Sequence, residues 1–360
     1  ANSAFAGAGG SGGSGGGVGF GAQAIGGAGG VGGTGGTGAG GAIHSATGAL
    51  SITLASLTNG NRIVGGDGGD GGNGGFALGA ALQGNGGAGG SGGNALGGAV
   101  HIGTGGGTLN EVNVEDNFAG GDRANGGVGG LGNIAGDGGD GGSVHGGGVF
   151  VAAGGAAVNI RNSSIIDNTA TLAGNGGPGG IGGDGGNVLG GGLYIGGTNV
   201  LVSNTTIAEN FAGDAGNAAA GGIPGQSRGG GVFVAGTARI NNSTVAENAA
   251  LDAGGGIAVA GSLTLNSTIV GMNDVGALIG NDLATAPGAS LSGGNNLIED
   301  STGFTGITNG ANGNQVGVDF VSQVFLNNVV FLSTFVNNIN GQLVPGQDPR
   351  LLDAANGTRY

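Results

Sequence analysis

The chain has 360 residues, of which 103 are glycine and only 8% are charged, with a net charge of −14 and no cysteine. The absence of cysteine excludes disulfide staples and thiolate chemistry. The acidity, with seven arginines and no lysine, argues against nucleic acid or an anionic membrane surface as a partner. No apolar run reaches the roughly 20 residues that span a bilayer. A start at Ala1 is what a mature product with its signal removed is expected to show.

Residues 1–39 form a glycine-rich arm in which Gly26–Thr37 reads GGAGGVGGTGGT. The same period of three returns in Gly65–Gly75 (GGDGGDGGNGG), Gly84–Asn94, Gly136–Ser143 and Gly174–Asn187. A polyproline-II-type helix has three residues per turn, so each X of a GGX repeat lies along one edge and the other two edges are bare backbone. Bare edges allow neighbouring helices to approach and hydrogen-bond. The arm and the first insert read as hairpins around apolar tips, Gly17-Val18-Gly19-Phe20 and Phe76-Ala77-Leu78. Collagen is excluded by five prolines in the whole chain. A calcium-binding GGxGxDxUx repeat lacks its aliphatic position here, and a flexible linker does not explain the strict phase. The reading favoured is an ordered layer of polyglycine II-type helices.

From residue 40 a second repeat sets in. GGAIHS at Gly40 is followed by GGAVHI (Gly97–Ile102), GGGVFV (Gly146–Val151), GGGLYI (Gly190–Ile195), GGGVFV (Gly229–Val234) and GGGIAV (Gly254–Val259). Each complete copy leads to a second apolar stretch that ends in Asn117, Asn168, Asn210, Asn248 or Asn273. A unit of two short strands cannot bury its own apolar face and must stack on its neighbours, which predicts a solenoid. Asn248 and Asn273 are 25 residues apart, one coil of a parallel β-helix; the earlier gaps of 38, 42 and 51 leave inserts of 13, 17 and 26 residues. The inserts, at 64–96, 120–145, 172–189 and 212–228, all fall between the Asn turn and the next glycine phrase. They must project from one corner of every rung. Six rungs over 40–306 would stack to roughly 29 Å at the strand spacing of about 4.8 Å.

Stacking turns the alignment into columns. Ile43, Val100, Val149, Leu193, Val232 and Ile257 point one way and fill the core with Ile160, Val202, Ile240 and Leu265. Their successors, His44, His101, Phe150, Tyr194, Phe233 and Ala258, form a column of rings on the other side. That column is either a stacking ladder beneath the glycine-rich layer or an exposed strip for sugars or partners. Asn117, Asn168, Asn210 and Asn248 make a turn ladder that satisfies backbone groups and bonds between rungs. The sequons at Asn162, Asn204, Asn242 and Asn266 follow the coil rather than glycosylation. Just before the turn asparagines come Asp116, Asp167, Glu209 and Glu247, which either face water or hold a hard cation such as Ca²⁺. Calcium is the single cofactor candidate.

In the last rung Leu263–Asn273 (LTLNSTIVGMN), then Asn281–Leu283 (NDL), then Leu291–Gly306 (LSGGNNLIEDSTGFTG) resemble the closing rungs of the choice-of-anchor Q group of bacterial surface proteins. The glycine and N-x-[ST] phrasing over 40–306 is similar to polymorphic outer-membrane and autotransporter passenger repeats, and the GGX inserts resemble the glycine-rich regions of PE-PGRS proteins. The resemblance implies a right-handed parallel β-helix, secreted or displayed, adhesive or structural, with no catalytic residues. Residues 307–360 leave the repeat, and Val316–Ile339 is rich in β-branched and aromatic residues, as expected of a cap or assembly segment. The function expected is therefore a secreted structural or adhesive surface protein that assembles head-to-tail with itself into a filament. A monomeric adhesin or glycan binder is the alternative. A polysaccharide-cleaving enzyme is disfavoured, since only Arg161 and Arg239 lie near the acids.

Overall fold

Alternating apolar positions in every coil build one stacked β-solenoid. The computed structural model describes residues 2–18, 25–78, 82–276, 278–279 and 282–317. Phe20 at the first predicted tip and the predicted strands of Val316–Ile339 beyond residue 317 lie outside them. Among the described residues there is no α-helix, and every sheet is parallel except for one terminal antiparallel pair, Asp274–Val275 with Leu278–Ile279.

Among the described residues seven rungs stack, one more than the repeat count predicts. The core column runs in register through Ile43–Ser45, Val100–Ile102, Val149–Val151, Leu193–Ile195, Val232–Val234, Ile257–Val259 and Leu283–Thr285. The seventh rung was not counted because no glycine phrase introduces it; the Asp282 carbonyl accepts from the Ile257 amide instead. On the next face Ile160, Val202, Ile240 and Leu265 stack in register and are fully buried. Each such aliphatic contributes about 1.5–3 kcal/mol, repeated rung after rung.

The Gly-Gly-Gly phrase has a distinct reason at each position. Its first glycine turns the chain at φ between 63 and 74° (Gly254 and Gly190 are the extremes), a left-handed conformation that costs other residues about 1–2 kcal/mol. Its second passes against the strand that follows the turn asparagine of the same coil: a Cβ on Gly147 would lie 2.5 Å from the Thr169 carbonyl carbon. Its third leaves room for the turn asparagine, since a Cβ on Gly148 would stand 2.9 Å from Cγ of Asn168.

The arm and the four inserts are five hairpins of one kind, at 6–38, 65–94, 124–143, 174–187 and 214–226. The arm is itself part of a rung, because Ser3–Phe5 pairs in parallel with Arg62–Val64. Glycine amides link the arms in a zigzag: Gly30 donates to the Gly13 carbonyl, Gly72 to Gly30, Gly87 to Gly72 and Gly130 to Gly87, at 2.7–2.8 Å. A second glycine of each triplet donates to an X carbonyl of the next hairpin, as Gly9 does to Asp67 and Gly68 to Asn125. The result is the expected slab of polyglycine II-type helices beside the solenoid.

Candidate functional site

The ring column stacks as its register requires. Ring centroids lie 4.6 Å apart for His44–His101, 5.1 Å for His101–Phe150, 4.9 Å for Phe150–Tyr194 and 5.7 Å for Tyr194–Phe233. His101, Phe150 and Phe233 are buried, Tyr194 is half-buried and His44 at the first end is exposed, so the column is a ladder covered along most of its length and open at its first ring. One member escaped the sequence reading: His145 stacks on Tyr194 at 4.6 Å and reaches Phe150 at 6.2 Å. It comes from Val144–His145, one of the short strands ahead of the glycine phrase, and folds back against the phrase's own rings. Stacked aromatic pairs add about 0.5–1.5 kcal/mol beyond their burial.

Burial pushes the His145 imidazole down to about 4, and lowers that of His101 with help from the nearby His44; it raises the Tyr194 hydroxyl. The folded state thus keeps His145 neutral until about pH 4, whereas the unfolded chain takes up its proton near 6.5. The neutral-His contribution is complete above pH 6.5 and is lost as pH falls from there to about 4, a total of about 3 kcal/mol. Asp282, raised by burial, works in the opposite sense at the acidic end of this window. His145→Phe, which keeps the stacked ring, is expected to flatten the fall in melting temperature between pH 6.5 and pH 4; an unchanged profile would remove His145 as its source.

The turn asparagines form a continuous ladder longer than the four predicted, buried from Asn61 onward. Each Nδ2 donates to the Oδ1 of the next rung, from Asn2 through Asn61, Asn117, Asn168, Asn210, Asn248 and Asn273, at 2.8–3.2 Å. The last amide donates to Asp282, whose other oxygen accepts from the Asp300 amide, so a carboxylate that only accepts ends a chain of donors. A second column, Ser163, Thr205, Ser243 and Thr268, is also buried, and each hydroxyl donates to the carbonyl two residues earlier.

Asp116, Asp167, Glu209 and Glu247 are exposed at turn positions with φ of 53, 53, 55 and 57°. Among the described residues no group of three or more His, Asp or Glu side chains converges to hold a metal. The sequon asparagines Asn162, Asn204 and Asn242 occupy the matching left-handed position at the other bend; Ser267, not Asn266, continues that column. The aspartates of the GGX repeats have a structural task. Oδ1 of Asp67, Asp70, Asp137, Asp140 and Asp184 accepts the X amide of the following hairpin, from Asn125, Val128, Ile181, Asp184 and Ile223 respectively, at 2.7–2.9 Å.

Among the described residues two side-chain surfaces could meet a ligand. The hairpins shorten from the first to the fifth, so their tips form a staircase, and each step carries exposed apolar side chains: Ile25, Phe76, Leu82, Leu131, Ile134, Ile181 and Ile223. On the solenoid a shallow groove of about 630 Å³ runs past Leu54, Glu111, Asn113, Asn162, Ser164 and Asn204. Arg161 and Arg239 fall in separate columns, in line with Ser203 and Leu201, and are not brought together with the acids by register. No family model matches this chain, and no curated protein or solved structure does.

Proposed function

We propose that the chain is a non-catalytic, secreted structural or adhesive protein in which the rigid solenoid presents the hairpin staircase to a surface. The observation that carries this reading is the row of exposed apolar tips, with Leu131 69% and Ile223 70% accessible, held on backbone hydrogen-bonded helices. Exposed apolar patches on ordered elements mark interaction sites, and here the supports are stiff, so little conformational entropy is lost on contact. The likeness of the closing rungs to displayed bacterial surface proteins supports the same reading.

A second reading, glycan binding, is favoured by the groove, whose lining includes Asn162 and Asn204 of an amide ladder that continues to Asn110, with bonds of 3.0 and 3.2 Å. The quadruple variant Phe76→Ser, Leu131→Ser, Ile181→Ser, Ile223→Ser is expected to lose at least tenfold in adsorption to octyl-coated beads while melting like the parent. Retained adsorption would overturn the staircase reading. Binding on a glycan array that Asn113→Ala abolishes would favour the groove, and cleavage on a polysaccharide panel would overturn the non-catalytic assignment.

A further inference from the structure

The two ends of the stack are built differently. At the end reached last, described segments cover parts of the terminal coil, although Leu283–Thr285 and Ser290–Gly294 themselves pair on one side only. Leu278–Ile279 closes one sheet antiparallel, and the Thr285 amide donates to the Gly303 carbonyl. Ile307 and Phe304 pack on the core, and Gln315–Val316 pairs with Leu297–Ile298. The fifth hairpin contributes a single triplet on each arm and carries Pro224 where the fourth has Gly185, the residue whose amide donates to the Ile223 carbonyl. Proline has no such amide.

The first end has no such covering among the described residues. Ser3–Phe5, Gly38–Ala39, Ile43–Ser45 and Leu50–Leu57 each pair on one side only, with Arg62–Val64, Ala95–Leu96, Val100–Ile102 and Gly107–Glu115. In the first hairpin, the amides of Gly10 and Gly13 and the carbonyls of Ala8, Ser11 and Ser14 have no partner among the described residues. Their counterparts one hairpin on are all engaged: Gly69 and Gly72 donate to Gly33 and Gly30, and the Asp67, Asp70 and Asn73 carbonyls accept from Gly9, Gly12 and Gly15. A Cβ added at Gly7, Gly10, Gly13 or Gly16 would meet nothing within 4 Å, yet all four positions are glycine. Each glycine costs about 0.5–1 kcal/mol relative to alanine where nothing requires it.

Proteins blunt open edges with charge or proline. Residues 2–61 contain neither, although the whole chain carries −14. We propose that this edge docks a second copy of the chain through the same edge, in an isologous dimer. Three observations select that occupant. The edge offers donors and acceptors in alternation at a three-residue period, so it complements itself when reversed. Its lack of charge lets two acidic molecules meet there without repulsion. Its length of three to four triplets is matched by no part of the fifth hairpin, which disfavours the head-to-tail stacking suggested by the repeat alone.

Sedimentation equilibrium of the full chain tests this. A dimer is expected, and Gly10→Ala/Gly13→Ala is expected to raise its dissociation constant at least tenfold while leaving the melting profile of the dilute monomer unchanged. Ser11→Lys/Ser14→Lys, which adds like charge to an exposed stretch, is expected to do the same. A monomeric parent at about 100 µM, well above the micromolar Kd of modest interfaces, would overturn the proposal. So would a filament, or a dimer that survives both variants.

Discussion

In the dilute monomer Gly72→Ala is expected to destabilise the chain by about 3–5 kcal/mol, and Gly13→Ala by less than about 0.5 kcal/mol, although both occupy the same position of corresponding triplets. A Cβ at Gly72 would overlap the Gly13 carbonyl, and the atoms around it are backbone that cannot rotate away. The Gly72 amide would also be forced from the Gly30 carbonyl, 2.7 Å away, and its own carbonyl from the Gly87 amide. At Gly13 the same methyl meets nothing within 4 Å. Thermal unfolding with amide exchange at Gly69 and Gly75 separates the two cases. Equal effects at both positions would mean that the slab is not held by close backbone contact.

Asn210→Ala is expected to cost about 3–5 kcal/mol, against less than about 1 kcal/mol for Asn2→Ala at the exposed head of the same ladder. Asn210 is 1% accessible; its Nδ2 donates to the Ile165 and Ala208 carbonyls and to Asn248, and its Oδ1 accepts from the amide and side chain of Asn168. Truncation strands these groups in a dry turn, where each unsatisfied one costs about 1–3 kcal/mol. Because every amide in the column points the same way, the loss should also loosen Asn168 and Asn248. Denaturant unfolding of Asn210→Ala, Asn210→Asp and Asn2→Ala tests this. The aspartate is expected to be at least as damaging as alanine, since it replaces a donor that faces three acceptors.

The sequence by itself determined the stacking register. Alternation has a period of two, so once the glycine phrases align, Val149 must lie over Val100 and Phe150 over His101, and a slip of one residue would expose the whole core column. The turn ladder through Asn117, Asn168, Asn210 and Asn248 followed for the same reason, as did the common corner of the inserts. What the phrase could not show is why it needs three glycines, because the atom that crowds Gly148 belongs to Asn168.

Only the tertiary structure decided which groups from different coils meet. His145 joins the ring ladder because its strand folds back on Phe150 and Tyr194, a contact between faces that no column alignment contains. The GGX aspartates are caps for amides 39–58 residues away, as Asp184 is for Ile223 and Asp67 for Asn125; that depends on the relative phase of two hairpins. Asp282 ends the ladder and starts a seventh rung without a glycine phrase, since its carboxylate supplies the acceptors that the last amide needs. Gly13 and Gly72 read identically in the chain, and what separates them is that one has a neighbouring backbone and the other has none.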